Sequence, residues 1–197
     1  MPRRAKIRPD EPGYEKLINA GRALFGRQGY DATSIAEIGA KAGIAKSVLY
    51  HYFGSKAALY TAVIKSDGEA VVDAVAEAVP PPGDPSPRLR PGIDAFLRFL
   101  SEHPDAWRLM VRDPPRDPRL RKAHQQVADQ VATALRGLLT HPGKSRDKPF
   151  LVDLVALAVN AYASWWQAHP EVPRAEIVEA IGDVAAAGAR RIKAAQR

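Results

Sequence analysis

Between Thr33 and Lys56 the chain gathers side chains that donate hydrogen bonds: hydroxyls on Thr33, Ser34, Ser47 and Tyr50, ammonium groups on Lys46 and Lys56, and the imidazole of His51. Donors of this kind suit phosphate oxygens and the acceptor edges of bases. The rest of the chain offers little for bond-making chemistry. Its five histidines, His51, His103, His124, His141 and His169, form no H-E-x-x-H or similar metal spacing, and there is neither a phosphate loop nor a G-x-S-x-G elbow. His103, His141 and His169 each precede a proline at an expected helix end, a place for capping or turn formation. Cysteine is absent, which excludes disulfides, zinc fingers and thiol catalysis and fits a reducing cytoplasm. No catalytic residue, metal site or cofactor is expected.

Those donors need elements to aim them, and the local pattern supplies two short helices. Ser34 is a good N-cap, and Glu37 three residues on can reach back to the Ser34 N–H, the reciprocal arrangement of a capping box. Ile35, Ile38 and Ala42 then fall on one face, and Gly43 supplies the permissive backbone for a sharp reversal. A second helix runs from about Ala45 to Phe53, with Leu49 and Phe53 inward and Lys46, Ser47, Tyr50 and His51 outward. This is a helix-turn-helix outline. Lys46, Tyr50 and Lys56 are the candidate phosphate contacts, together with the N-terminus of a following helix. Thr33 and Ser34 can add contacts from the preceding first turn, although Ser34 can equally act only as a cap. Ala45, Lys46, Ser47 and His51 are placed to read bases; Tyr52 is either a backbone contact or a core aromatic. The alternative for the whole set is an ordinary solvated face.

The longer stretch from Ala20 through Leu59, AGRALFGRQGYDATSIAEIGAKAGIAKSVLYHYFGSKAAL, resembles the N-terminal DNA-binding domain of TetR-family transcriptional regulators, down to the run Leu49-Tyr50-His51-Tyr52-Phe53 followed by Ser55-Lys56. Two departures stand out: Gly39 where the family usually has Ala, which weakens a short helix by up to about 1 kcal/mol, and Ala57-Ala58 in place of an acidic pair. The resemblance implies an all-α fold of about nine helices. Residues 1–54 would form a three-helix DNA-binding head, and residues 55–197 a helical ligand-binding and dimerisation domain. It also implies a sequence-specific, ligand-responsive repressor whose partners are double-stranded operator DNA, a second copy of itself and a small hydrophobic effector. The competing reading is a DNA-binding architectural protein without an effector.

Charge supports a nucleic-acid partner. Through Lys56 the chain carries ten Lys and Arg against five Asp and Glu, so most of its formal charge of +7 lies there. Arg3, Arg4, Lys6 and Arg8 contribute to that excess and lead into no apolar segment. The most hydrophobic stretch, Phe150 to Trp166, is interrupted by Asp153 and Asn160 and is short for a membrane span. No membrane partner and a cytoplasmic location are expected.

Helical patterning continues to the end. A first helix over Tyr14 to Gln28 ends at Gly29, and a long fourth helix begins at Ser55. Six prolines between Pro80 and Pro91 predict a loop. Helices then follow over Ile93 to His103, from Pro104 to about Arg112, from Pro118 behind an Asp117 cap to Leu139, and over 150–169 and 174–195. Phe96, Phe99, Trp107 and Met110 are inward candidates for a ligand pocket, with His124, Tyr162 and Trp165. His124 shares a stripe with Leu120, Val127 and Val131, so it either serves a ligand or is a core histidine bonded to a carbonyl. The helix over 150–169 is apolar over more of its circumference than a surface helix would be, and the final helix offers a small run, Ala185 to Ala189, that permits close approach. The resemblance places a dimer interface there, with Leu154, Ala158, Trp165, Ile181, Val184 and Gly188 as its members.

Overall fold

The computed structural model describes residues 12–80, 86–111, 115–139 and 149–194. Among them are nine α-helices and no strand: α1 (Pro12–Ala32), α2 (Ile35–Ala42), α3 (Lys46–Phe53), α4 (Lys56–Ala78), α5 (Ser86–Glu102), α6 (Pro104–Val111), α7 (Pro118–Leu139), α8 (Pro149–Ala168) and α9 (Arg174–Ala194). The expected all-α class and helix count therefore hold. The basic residues Arg3, Arg4, Lys6 and Arg8 lie outside the described residues. None of the described helices is long and apolar enough to cross a membrane.

Packing divides the chain into two compact units, Met1–Glu69 with His103–Asp129, and Ala70–Glu102 with Gln130–Arg197. Two of the three divisions fall inside α4 and α7 and the third between α5 and α6, whereas the resemblance places its border at residue 54. In the first unit, Leu17 and Phe25 of α1, Ile38 of α2, Leu49 of α3, and Leu59, Tyr60, Val63 and Ile64 of α4 share one core with Leu109 and Leu120. α1 approaches α6 so closely that a Cβ on Gly26 would stand 2.6 Å from the Asp105 carbonyl oxygen. The helical course of α1 breaks at Gly29, whose φ of 83° and ψ of 166° lie outside the helical region, so the expected stop at this residue is borne out. Arg22 forms an ion pair with Asp67 of α4, only 1% exposed. Burial raises the Asp67 carboxyl pKa, against the opposing pull of Arg22.

The second unit corrects the expected proline loop. α5 begins at Ser86, and Pro91 lies inside it. Pro87 falls in the first turn, where amides have no helical partner, but Pro91 forfeits a bond to the Pro87 carbonyl. Packing against α9 compensates. Arg90 reaches Glu179 at 3.0 Å and Asp183 at 2.6 Å, and Arg174 of α9 donates to Asp94 at 2.8 Å. Arg90 crosses directly above Gly182, where an added Cβ would meet its Nε at 2.8 Å. Ile177, Val178 and Ile181 of α9 are buried, as are Ile93, Ala95 and Leu97 of α5.

Candidate nucleic-acid interface

The helix-turn-helix is assembled by local chemistry. Ser34 Oγ accepts from the Glu37 amide at 3.2 Å while the Ser34 amide donates to Glu37 Oε2 at 2.7 Å, so the capping box is complete. Hydrogen bonding of its carboxylate by the Ser34 side chain, then by the Ser34 amide, holds the Glu37 carboxyl below its ordinary pKa. At the other end Gly43 adopts the left-handed conformation, φ 66° and ψ 32°, and the Ile44 amide donates to the Gly39 carbonyl at 2.9 Å. That closing turn brings the Ile44 carbonyl to 2.8 Å from where a Cβ on Gly39 would lie. Gly39 thus fits a steric demand that sequence reading recorded only as a departure.

α3 is rooted by Leu49, which is fully buried, while Tyr52 and Phe53 are half-buried against Tyr14 of α1. Tyr52 therefore belongs with the core-side aromatics. Ala45, Lys46, Ser47, Tyr50 and His51 are all exposed, as the helical pattern implied. Ala45 caps α3 with no side-chain bond, so the Lys46 and Ser47 amides have no capping side chain to bond. The Lys46 ammonium lies 5.8 Å from the centre of the Tyr50 ring, placing charge and phenol side by side. Ser34 is exposed at the start of α2. Val48 of α3, absent from the candidate set, is also exposed.

Two candidates move elsewhere. Thr33 is 2% exposed, and its hydroxyl donates to the Gly29 carbonyl at 2.7 Å. It closes the break in α1 and presents nothing to a nucleic acid. Lys56 is half-buried, with its ammonium donating to the carbonyls of Tyr30 at 2.9 Å and Thr33 at 2.8 Å and lying 4.1 Å from the centre of the Tyr30 ring. Burial lowers its pKa, with Asp31 and Glu37 opposing. Lys56 thus acts as a structural staple, with two of its ammonium hydrogens committed to backbone carbonyls. Ser55, not Lys56, caps α4, accepting from the Ala58 amide at 3.1 Å.

The pocket candidates divide between the two units. Trp107, Met110 and His124 belong to the first unit; Phe96, Phe99, Tyr162 and Trp165 belong to the second. Trp107 and Phe99 are buried, Phe96 and Met110 half-buried, and Tyr162 and Trp165 exposed. His124 Nε2 donates to the Met110 carbonyl at 3.2 Å, which leaves Nδ1 to accept from the Tyr60 hydroxyl at 2.9 Å. Both ring nitrogens have protein partners, the arrangement of a core histidine, which is one of the two readings its stripe allowed. Its partner Tyr60 was missed because it lies 64 residues away.

Of the interface candidates, Val184 is 71% exposed and Trp165 stacks on His169 with ring centres 4.1 Å apart. Ala158 is half-buried. Ile181 is instead buried within its own chain. The surroundings of Leu154 and Gly188 lie outside what the structure describes. Leu157, absent from the candidate set, is 67% exposed on α8.

Residues 17–63 match the family model described as bacterial regulatory proteins, tetR family, and residues 85–188 match the tetracyclin repressor-like C-terminal domain. The transcriptional activator FasR of Mycolicibacterium smegmatis is 29% identical over 185 residues, covering 90% of this chain and 83% of its own. The nucleoid occlusion factor SlmA of Photobacterium profundum is 25% identical over 147 residues, 73% of this chain and 75% of that one. Among solved structures, a TetR-like transcriptional regulator from Rhodococcus sp. RHA1 superposes with a TM-score of 0.73 at 26% identity, over 96% of this chain and 98% of that one. FadR of Bacillus subtilis, in complex with stearoyl-CoA, shares the fold with a TM-score of 0.74 at 14% identity, over 87% of this chain and 97% of its own.

Proposed function

We propose, from the premise that this chain belongs to the TetR family of helix-turn-helix transcription regulators, that α3 enters the major groove of operator DNA in the cytoplasm. In this reading Lys46 and Tyr50 hold the phosphate backbone, Ser34 adds a contact from α2, and Ala45, Ser47 and His51 face the bases. The observation that carries it is the array of exposed donors on α3 above the fully buried Leu49. A random pool of duplexes passed over the purified protein should return a defined sequence. A pool that emerges without enrichment would overturn sequence-specific binding.

A second copy completes the reading. Leu157, Tyr162 and Trp165 of α8 and Val184 of α9 are exposed large apolar side chains, which supports their burial in a homodimer. Two copies of α3 would then address half-sites about 34–36 Å apart. A small hydrophobic effector would act through unequal affinity for DNA-competent and DNA-incompetent states. Stearoyl-CoA, present in the Bacillus subtilis FadR structure, is the compound to try first. The SlmA relative, named for nucleoid occlusion, favours the architectural alternative. DNA affinity that shifts with an added acyl compound separates a sensor from that alternative. Repression and activation, the role in the name of the FasR relative, are separated by a reporter gene placed behind the selected operator.

A further inference from the structure

We infer that Val48 is a specificity-determining residue that reads the C5-methyl group of a thymine in the operator. The inference rests on the reading that α3 enters the major groove and assigns one side chain within it. Among the described residues of the first unit, the exposed large apolar side chains are Val48, at 40% exposure, and Tyr50. Both stand on α3, whose other outward groups are polar or small.

Position selects Val48 over an incidental surface valine. Leu49 is fully buried and fixes the inward direction. At about 100° per residue, His51 points nearly opposite to Leu49, with Ser47 and Val48 roughly 40° and 60° to either side. Val48 and His51 are i,i+3 neighbours and Ser47 and His51 are i,i+4 neighbours, so the three form one outward patch. Val48 is the third residue of α3, within the N-terminal part that reaches base edges when a recognition helix docks.

Chemistry then selects the partner. Hydroxyl and imidazole groups match the hydrogen-bonding edges of bases, whereas the apolar group that the major groove presents is the methyl of thymine. A β-branched side chain in a helix is held near one χ1 rotamer, so Val48 offers a fixed pair of methyls with little rotamer freedom to lose. The ammonium of Lys46 on the same helix supplies the charge complementarity that brings a phosphate-lined groove to this surface.

The test uses the full chain and the duplex it selects from a random pool. Each thymine is replaced singly by deoxyuridine, which removes the methyl and keeps the pairing, and binding is measured for wild type and Val48→Ala. At one thymine in each half-site deoxyuridine should weaken wild type about fourfold, the factor that corresponds to burying one methyl-sized group. The same exchange should leave Val48→Ala unaffected, with unchanged thermal melting because the side chain is exposed. Wild type indifferent to deoxyuridine at every thymine would overturn the assignment, as would Val48→Ala keeping the wild-type pattern of sensitivity. A pool that yields no defined duplex fails at the earlier step and overturns the DNA reading along with this one.

Discussion

The ammonium of Lys56 donates to the carbonyls of Tyr30 and Thr33, so its replacement should act on folding and leave the salt dependence of DNA binding alone. Lys56→Ala leaves two carbonyls without their charged donor and should cost about 1–2 kcal/mol, a few degrees in Tm. Lys46→Ala, at an exposed position, should leave Tm unchanged and flatten the slope of log affinity against log salt by about one unit. A flatter slope for Lys56→Ala at unchanged Tm would return that residue to the DNA surface. Titration separates two other side chains by sign. Glu37 has a depressed pKa, so its contribution to stability is present above the ordinary glutamate value and is lost as pH falls through the depressed one. Asp67 has a raised pKa, so its burial costs stability at neutral pH, and the cost is relieved as pH falls through that raised value. Ser34→Ala should move the Glu37 carboxyl back toward the ordinary value, measured by NMR titration. An unmoved carboxyl would remove the Ser34 hydroxyl as the leading cause of the shift.

Helix α2 shows what a local pattern can and cannot reveal. Its capping box and the left-handed Gly43 were legible because each involves residues three or four apart, and the buried Leu49 followed from the pitch of α3. Lys56 with Tyr30 and Thr33, Arg22 with Asp67, and His124 with Tyr60 are separated by 23 to 64 residues. Only the approach of α1, α4 and α7 creates those pairs, so the sequence carries no short-range sign of them. The start of α5 was hidden for another reason: its prolines argue against a helix, and the ion pairs to α9 that offset them are equally remote in sequence. Gly39 puts the point to a test. Helix propensity alone predicts that Gly39→Ala gains up to about 1 kcal/mol. The 2.8 Å approach to the Ile44 carbonyl predicts a net loss of Tm instead, since overpacking against backbone costs about 1–3 kcal/mol. A higher melting temperature would show that the turn relaxes freely.

At the scale of the molecule, exposure distinguishes residues that hold one chain together from those available to hold two. Val184→Lys changes a side chain that is 71% exposed in a single chain, so the fold should survive while the proposed dimer would have to bury a charge at a cost of several kcal/mol. Sedimentation should then find folded monomer. Ile181→Lys, at a site buried against its own chain, should unfold the protein without passing through such a monomer. A Val184→Lys protein that still sediments as the wild-type dimer would move the interface elsewhere.

The first compact unit is interrupted by Ala70–Glu102, and that interruption imposes an order on birth at the ribosome. The helix-turn-helix is synthesised before the intervening segment, whereas Leu109 and Leu120, which share its core, and Asp105, which covers Gly26, arrive only after it. At about 5–20 residues per second the nascent helices wait several seconds with part of their apolar surface uncovered. Chains halted near residue 80 should therefore be cut readily within α1 and α4 by a protease. Chains whose first 129 residues have been released should resist, and the change should come abruptly as α7 docks.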